Sequence, residues 1–450
     1  MEKNQEYIVD IIDNGYEGEG IAKIEGMPVF MKGALKGEQC KIGITKVLAS
    51  HAFGRIIEIQ KESTHREQPV CPYANRCGGC DLQHMDYEWS LEIKQNTVQN
   101  LVNKTLKQKV QVEKTVGMGN PFHYRNKAVF PCGIDKSGNP AMGMYAARSH
   151  EIISVGECYL QKEQAMQIAT TIFQFIKENG IAVYNEKTGK GLVRHIMIRT
   201  AFQTGEIMCV VVVNGQSMPK QQEFVEMLQA HCPEIKTIVL NHNTENTNVI
   251  LGRKNTVLYG NGTIEDILGE YKFSISPQSF YQVNPVQTEA LYNLALESAS
   301  LEKEDIFCDL YCGIGTIGIF ASKYVKEVHG VVIVEEAVKD AQENAKRNGI
   351  TNATFIAGDV EKLFDEMIHH KKIMPTVVCV DPPRKGVDER TIEIIKEVLP
   401  KKVIYISCNP ATLVRDLAKL EEKYTVKMIK PVDCFPWTKH VECVAVLQLK

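Results

Sequence analysis

The chain lacks a long apolar run, an excess of charge of either sign, and any internal repeat or low-complexity linker. No apolar stretch reaches the ~18 residues of a membrane helix, and the run at 306–320 is broken by Asp309, Gly313, Gly315 and Gly318. The opening residues Met1–Glu6 are polar and charged, without the apolar core of a signal peptide. A soluble, cytoplasmic monomer with no membrane partner is therefore expected. Lys and Arg number 52 against 55 Asp and Glu, a net charge of -3. That excludes a polycation, so any nucleic-acid binding must rest on local patches. The 450 residues leave room for about three domains.

Cysteine, by contrast, is plentiful: there are 14. In a reducing compartment, clustered cysteines point to metal or catalysis rather than to disulfides. Cys209, Cys232 and Cys379 stand singly in apolar runs and read as core. Cys71, Cys77 and Cys80 have ligand spacing, and Gly78-Gly79 lets the chain wrap tightly and offer N–H groups to sulfur. Zinc would usually recruit a second close pair. None follows, although His84 is near; a single distant cysteine would suit an iron–sulfur cluster. Spacing alone leaves both metals open. Cys408 is different. It ends the apolar run Val403–Ile406, in a turn locked by Asn409-Pro410. A lone cysteine is usually a small buried hydrophobe, so Cys408 gains meaning only from its company.

The pattern along the chain divides it into three. Residues 1–60 hold short strands between glycine turns, at 7–12, 20–24, 28–31, 39–47 and 54–59, as in a small β-barrel. Residues 61–272 carry the cysteine triplet, a helix from Tyr87 to about Lys107 that could pack on the catalytic domain, and mixed α+β structure. Within it, 195–200 and 207–213 read as strands and 222–230 as a helix. Residues 273–450 alternate strand and helix, the signature of a doubly wound α/β domain. There, strand 306–310 runs into Tyr311-Cys312-Gly313-Ile314-Gly315-Thr316-Ile317-Gly318, a glycine turn fit for a dinucleotide or for S-adenosylmethionine. Asp359 follows a later strand, where it could contact adenine or simply make a turn. Asp381-Pro382-Pro383-Arg384 ends the fourth strand at the ligand edge, and Arg384 in place of an aromatic argues against an amine target. Glu442 begins the last strand, as a candidate base or as a surface glutamate.

Taken in order, Cys77–His84, Tyr124–Lys127, Ser279–Asn284, Asp309–Gly313, Asp381–Arg384, Ser407–Leu413 and His440–Glu442 resemble the RNA uracil-5-methyltransferases of the kind acting on 23S ribosomal RNA. The likeness spans nearly the whole chain and includes an N-terminal barrel similar to a TRAM domain. It implies Cys408 as nucleophile and Glu442 as base. It places Gln282, Tyr311 and Asp381 at S-adenosylmethionine and Phe280 near the flipped base; Gly313 and Asp359 are further candidates for the cofactor, and Arg125 and Arg384 for the RNA. Cys71, Cys77, Cys80 and Cys158 match the ligands of a [4Fe-4S] cluster. Transfer-RNA methylation, cytosine methylation and a non-catalytic role in RNA binding or ribosome assembly are the rival readings. One residue departs from the family: Val332 stands where an acid would grip the ribose hydroxyls. Losing charge-assisted hydrogen bonds costs roughly 1.5–3 kcal/mol. Unless Glu335 or water substitutes, Val332→Glu should tighten S-adenosylmethionine binding about tenfold by calorimetry, and equal affinities would refute the expectation.

Overall fold

A computed structural model describes the whole chain, Met1–Lys450. The strands β1 (Glu6–Asp10), β2 (Asp13–Asn14), β3 (Gly20–Ile24), β4 (Met27–Met31), β5 (Gln39–Val47) and β6 (Ala52–Lys61) form one sheet in the order β1-β5-β6-β4-β3-β2. Alternation sends Ala22, Val29, Met31, Ile42 and Ile44 into its small core. Helix α1 (Tyr87–Thr105) follows, capped by the Asp86 carboxylate, which accepts from the Trp89 N–H at 2.7 Å.

The central sheet is built from β7 (Lys127–Ile134), β8 (Pro140–Tyr145), β9 (Ile152–Ser154), β10 (Val193–Thr200), β11 (Ile207–Val213), β12 (Ile235–His242) and β13 (Lys254–Tyr259), in the order β13-β12-β11-β10-β7-β8-β9. Helices α2 (Glu163–Glu178) and α3 (Gln221–His231) cover one face, against Ile207, Cys209, Val211 and Val213. The alternate residues Met208, Val210 and Val212 join the core of the C-terminal domain. The hairpin β14 (Ile264–Leu268) and β15 (Tyr271–Ile275) packs into that same core.

The C-terminal domain runs α4 (Pro285–Ala299), β16 (Ile306–Leu310), α5 (Thr316–Ala321), β17 (Glu327–Val332), α6 (Glu335–Arg347), β18 (Ala353–Ala357), α7 (Val360–His369), β19 (Val377–Val380), α8 (Glu389–Val398), β20 (Lys402–Ser407), α9 (Pro410–Leu420), β21 (Tyr424–Val432) and β22 (Glu442–Leu449). Its strand order is β18-β17-β16-β19-β20-β22-β21, parallel except for the pairs that β22 makes with β20 and β21. This is the expected doubly wound sheet. The chain turns outward on both sides of β16, which makes the β16–β19 junction the switch point where such sheets bind ligands. β16 and β18 fall where the pattern puts them. β17 closes at Val332 rather than at Val334. Helix α7 goes beyond the pattern, and Asp359 caps it by accepting from the Lys362 N–H at 3.3 Å.

Two segments cross the expected boundary at residue 273. The hairpin 264–275 is one. The other is α1 with the strand-like stretch after it. Val98, Val102, Leu106 and Val112 share a core with Leu413 and Leu417 of α9. Glu113 and Val116 donate backbone hydrogen bonds to Ile429 and Pro431 of β21, each at 2.9 Å. An amphipathic helix takes the apolar face available, and here that face lies on the C-terminal domain.

The connection 433–441, between β21 and β22, is fastened from several directions. Lys94 of α1 donates to Asp433 at 2.6 Å with both side chains buried, and the Tyr87 hydroxyl donates to the same carboxylate at 2.9 Å. The Trp437 carbonyl accepts from Asp81 (2.8 Å) and Leu82 (3.0 Å), and the Pro436 carbonyl from the Tyr124 hydroxyl at 3.1 Å. Removing one partner of a buried ion pair typically costs about 3–5 kcal/mol, because the other charge is left without compensation.

Candidate active site

Strand register assembles the site. β20 and β22 pair antiparallel with Ser407 opposite Cys443, so Cys408 comes across from Glu442. β19 pairs β20 with Val380 opposite Tyr405 and pairs β16 with Leu310 opposite Val380, so Asp381 and Tyr311 emerge beside them. Local bonds fix the Cys408 turn. The Asn409 carboxamide accepts from the Ala411 N–H (3.1 Å) and donates to the Arg384 carbonyl (2.9 Å). Tyr405 and the Val387 N–H both donate to the buried Asp416 carboxylate, at 2.7 and 2.9 Å. The loop that follows Asp381 and the turn that holds Cys408 are thereby one unit.

These residues line a single cavity of about 1020 Å³. Cys408, Glu442, Asp381, Tyr311, Gly313, Gln282, Asp359, Phe280, Arg125 and Arg384 all lie on its wall. Tyr311 has φ +69, rare for a tyrosine, and donates its hydroxyl to Asp388 at 2.7 Å. Gly315 has φ +80, and a Cβ there would fall 2.9 Å from the Phe355 ring, so the turn after β16 admits only glycine at that point. Phe280 stands 66% exposed on the rim. Its loop is held by Arg199, whose guanidinium donates to the Ser279 carbonyl at 2.6 Å, and by Asn126, which donates to the Gln282 carbonyl at 2.9 Å. The buried Arg125 Nε has no partner within the protein.

The electrostatics concentrate on acids. Burial, reinforced by Asp381, pushes the Glu442 carboxyl up to about 8, and Arg384 pulls it down. Burial also raises Asp381 to about 7. The Cys408 thiol rises to about 11, from burial first and then from Glu442 and Asp381, with Arg384 opposing. Asp309 is committed to structure: it accepts from the Gly318 N–H at 2.8 Å. The carboxyl groups of Asp381 and Glu442 remain free for a ligand, and Asp381 suits a cationic one.

Val332 lines the same cavity, with Ile333, Val334 and Glu336 beside it. Several wall residues were not singled out from the sequence: Asp81, Phe435, Thr438, His440, and the pair in which Ser279 donates to Asp340 at 2.8 Å. Asp81, Ser279 and His440 stand within motifs, and Asp340 carries no local signal; of the two acids nearest Val332 in sequence, Glu336 lines the wall. Gly78 and Gly79, between two of the clustered cysteines, also reach this wall.

Cys71, Cys77, Cys80 and Cys158 are all free and partly exposed, and they lie outside the cavity. Each lies within electrostatic reach of the others. The Gly79 N–H donates to the Cys77 sulfur at 3.4 Å and the Gln83 amide to the Cys80 sulfur at 3.3 Å. No set of three or more His, Cys, Asp or Glu side chains is placed to hold a metal ion.

A switch-point cavity with a glycine turn and a free acid at the strand ends is the kind of site that takes a dinucleotide or S-adenosylmethionine. The tRNA (uracil-5-)-methyltransferase family profile matches residues 86–450, and the TRAM domain profile matches 2–57. An uncharacterized RNA methyltransferase of Clostridium acetobutylicum is 46% identical over 452 residues, covering 100% of this chain and 98% of that one. One from Caldanaerobacter subterraneus is 43% identical, covering 99% and 98%. In fold, the chain is similar to the Pyrococcus abyssi tRNA (uracil-54, C5)-methyltransferase solved with S-adenosyl-L-homocysteine, with a TM-score of 0.78 and 24% identity over 98% of this chain and 100% of that one. The chain belongs to the uracil-5 RNA methyltransferase family and carries an N-terminal TRAM domain.

The raised acid has a consequence for stability. An ordinary glutamate titrates near 4.5, whereas folded Glu442 keeps its proton up to about 8. The stability it contributes is full below about 4.5 and is lost as pH rises through 8. Glu442→Gln cannot ionise, so its melting temperature should gain on the wild type by a few degrees between pH 5 and pH 9. A constant gap between the two proteins across that range would refute this.

Proposed function

We propose that the protein methylates carbon 5 of uridine in 23S ribosomal RNA through a covalent bond from Cys408 to carbon 6. The observation that carries the reading is the register that sets Cys408 against Glu442, beside Asp381, in one cavity. S-adenosylmethionine, when bound, supplies an electrophilic methyl group. Asp381, Gln282, Tyr311 and Gly313 would hold it, with Asp359 at its adenine side, and the free Asp381 carboxylate matches its positive charge. The target uridine must leave its stack, and Phe280 on the rim can hold the flipped base, with Arg125 and Arg384 beside it.

Cys408 loses its proton to solvent and attacks carbon 6 as the thiolate, and the electrons of the ring double bond move onto the carbonyl as an enolate. Carbon 5 then has the electron density to take the methyl group, and S-adenosylhomocysteine would be the leaving group. Once ionised, with Arg384 favouring its charged form, Glu442 accepts the carbon 5 proton, the double bond re-forms, and the carbon–sulfur bond breaks to release the thiolate. Burial, then Glu442 and Asp381, oppose ionisation of Cys408 while Arg384 favours it, so the thiolate forms when ligands rearrange that balance.

A [4Fe-4S] cluster would be held by Cys71, Cys77, Cys80 and Cys158, which are free thiols, two of them receiving N–H bonds of the kind that stabilise cluster sulfurs. The methyl transfer needs no electron carrier. The cluster's place in the reading is to shape the loop whose Gly78, Gly79 and Asp81 line the cavity. Transfer RNA is the second reading, favoured by the family description and by the fold likeness to an enzyme acting on tRNA uracil-54.

Cys408→Ala should abolish methylation, and Glu442→Gln should accumulate a covalent RNA adduct that survives denaturing electrophoresis. Mapping 5-methyluridine in a strain lacking the gene should show its loss from 23S ribosomal RNA, and loss from transfer RNA alone would overturn that assignment. Anaerobically purified protein should contain iron and sulfide, and Cys158→Ser should lose both; wild-type protein holding zinc and no iron would refute the cluster.

A further inference from the structure

The β2–β3 turn of the N-terminal barrel leaves the barrel and reaches the C-terminal domain. Glu17 bonds Lys439 at 2.5 Å and Arg148 at 3.2 Å. Gly18, with φ +80, lies so close to the cluster loop that a Cβ there would fall 2.2 Å from the Leu82 side chain. Asn14 braces the turn from below, donating to the Ala34 carbonyl at 3.1 Å. Lys439 in turn immediately precedes His440 on the cavity wall, and its backbone N–H donates to Asp81 at 3.2 Å. The turn is thus fixed at the mouth of the cavity.

Tyr16 sits on this turn and remains 44% exposed. It belongs to no core cluster, and its hydroxyl makes no hydrogen bond within the protein. Burial of the remaining half is the main influence on the phenol, and the charged groups it senses are Lys439, Arg384, Glu17 and Cys408. A half-exposed tyrosine held on a turn fastened to Lys439, next to the cavity-lining His440, has no packing task that explains its type. Its cationic surroundings suit RNA: Arg384 and Lys385 line the cavity, and the Arg148 side chain is 88% exposed.

We infer that Tyr16 stacks on an RNA base next to the uridine that enters the cavity. Flipping one nucleotide uncovers the face of its neighbour, and an aromatic ring can cover it with little dependence on which base is there. Phe280 serves the target base on one side of the mouth, and Tyr16 serves the flanking base on the other. The barrel then contributes a substrate-contacting residue to the catalytic mouth itself, and the enzyme selects uridines whose neighbour is free to unstack. The inference rests on the reading of this cavity as a site of uridine methylation.

The test compares full-length wild type, Tyr16→Ala and Tyr16→Phe on a uridine-containing RNA hairpin loop. Tyr16→Ala should raise KM for RNA about tenfold, the loss of one base stack, with kcat changed less than twofold. Its S-adenosylmethionine affinity and melting temperature should match the wild type, and Tyr16→Phe should restore KM. An unchanged KM in Tyr16→Ala overturns the inference, as does a Tyr16→Phe enzyme as impaired as Tyr16→Ala, since the hydroxyl would then be what matters. A wild type that methylates no RNA overturns the underlying reading of the site instead.

Discussion

The buried contact between Lys94 and Asp433 decides where residues 433–441 run, and most of the molecule is arranged on that stretch. Helix α1 supplies the lysine and α4 adds Gln287, which donates to the Asp433 carbonyl at 3.1 Å. The cluster loop hangs from the Trp437 carbonyl, and the barrel is tied to Lys439. Exchanging both partners of such a pair for apolar residues is often neutral for stability, so its contribution here is best understood as position. Helix α1, the cysteine loop and the N-terminal domain all meet on this connection, which leads into Glu442.

The cavity is unusual in gathering two acids and a thiol out of water with one nearby cation, Arg384, in the balance. An enzyme that only needed a reactive thiolate would surround it with positive charge. Here burial and the neighbouring acids keep the Cys408 thiol protonated, and Glu442, pushed up to about 8, also holds its proton near neutral pH. A cationic ligand entering such a cavity would offset its acids and favour the thiolate.

Much of the fold was legible because α/β domains announce themselves locally. β16 and β18 lie where alternation and flanking turns put them, and the barrel strands follow their glycines. The candidate catalytic residues were legible because each sits at the end of a strand: Asp381 after β19, Cys408 after β20, Glu442 at the start of β22. What escaped depends on separation along the chain. Lys94 and Asp433 are 339 residues apart, and neither has a local reason to seek the other. The approach of Tyr16 to Cys408 is likewise a matter of how barrel and sheet dock. Helix α7 escaped for a different reason: its capping acid, Asp359, read equally well as a ligand contact or a turn.

The pairing of β20 with β22 carries a further meaning. Side chains on a strand alternate between faces, so Glu442 meets Cys408 only while Ser407 stays opposite Cys443. A slip of one residue would offer Cys443 or Val441 in its place, both buried and neither a base. The juxtaposition of Cys408 and Glu442 is therefore stored as a parity between two strands rather than as a spacing along the chain. Loops around the cavity are free to lengthen and take new RNA shapes over evolutionary time, provided that parity is kept.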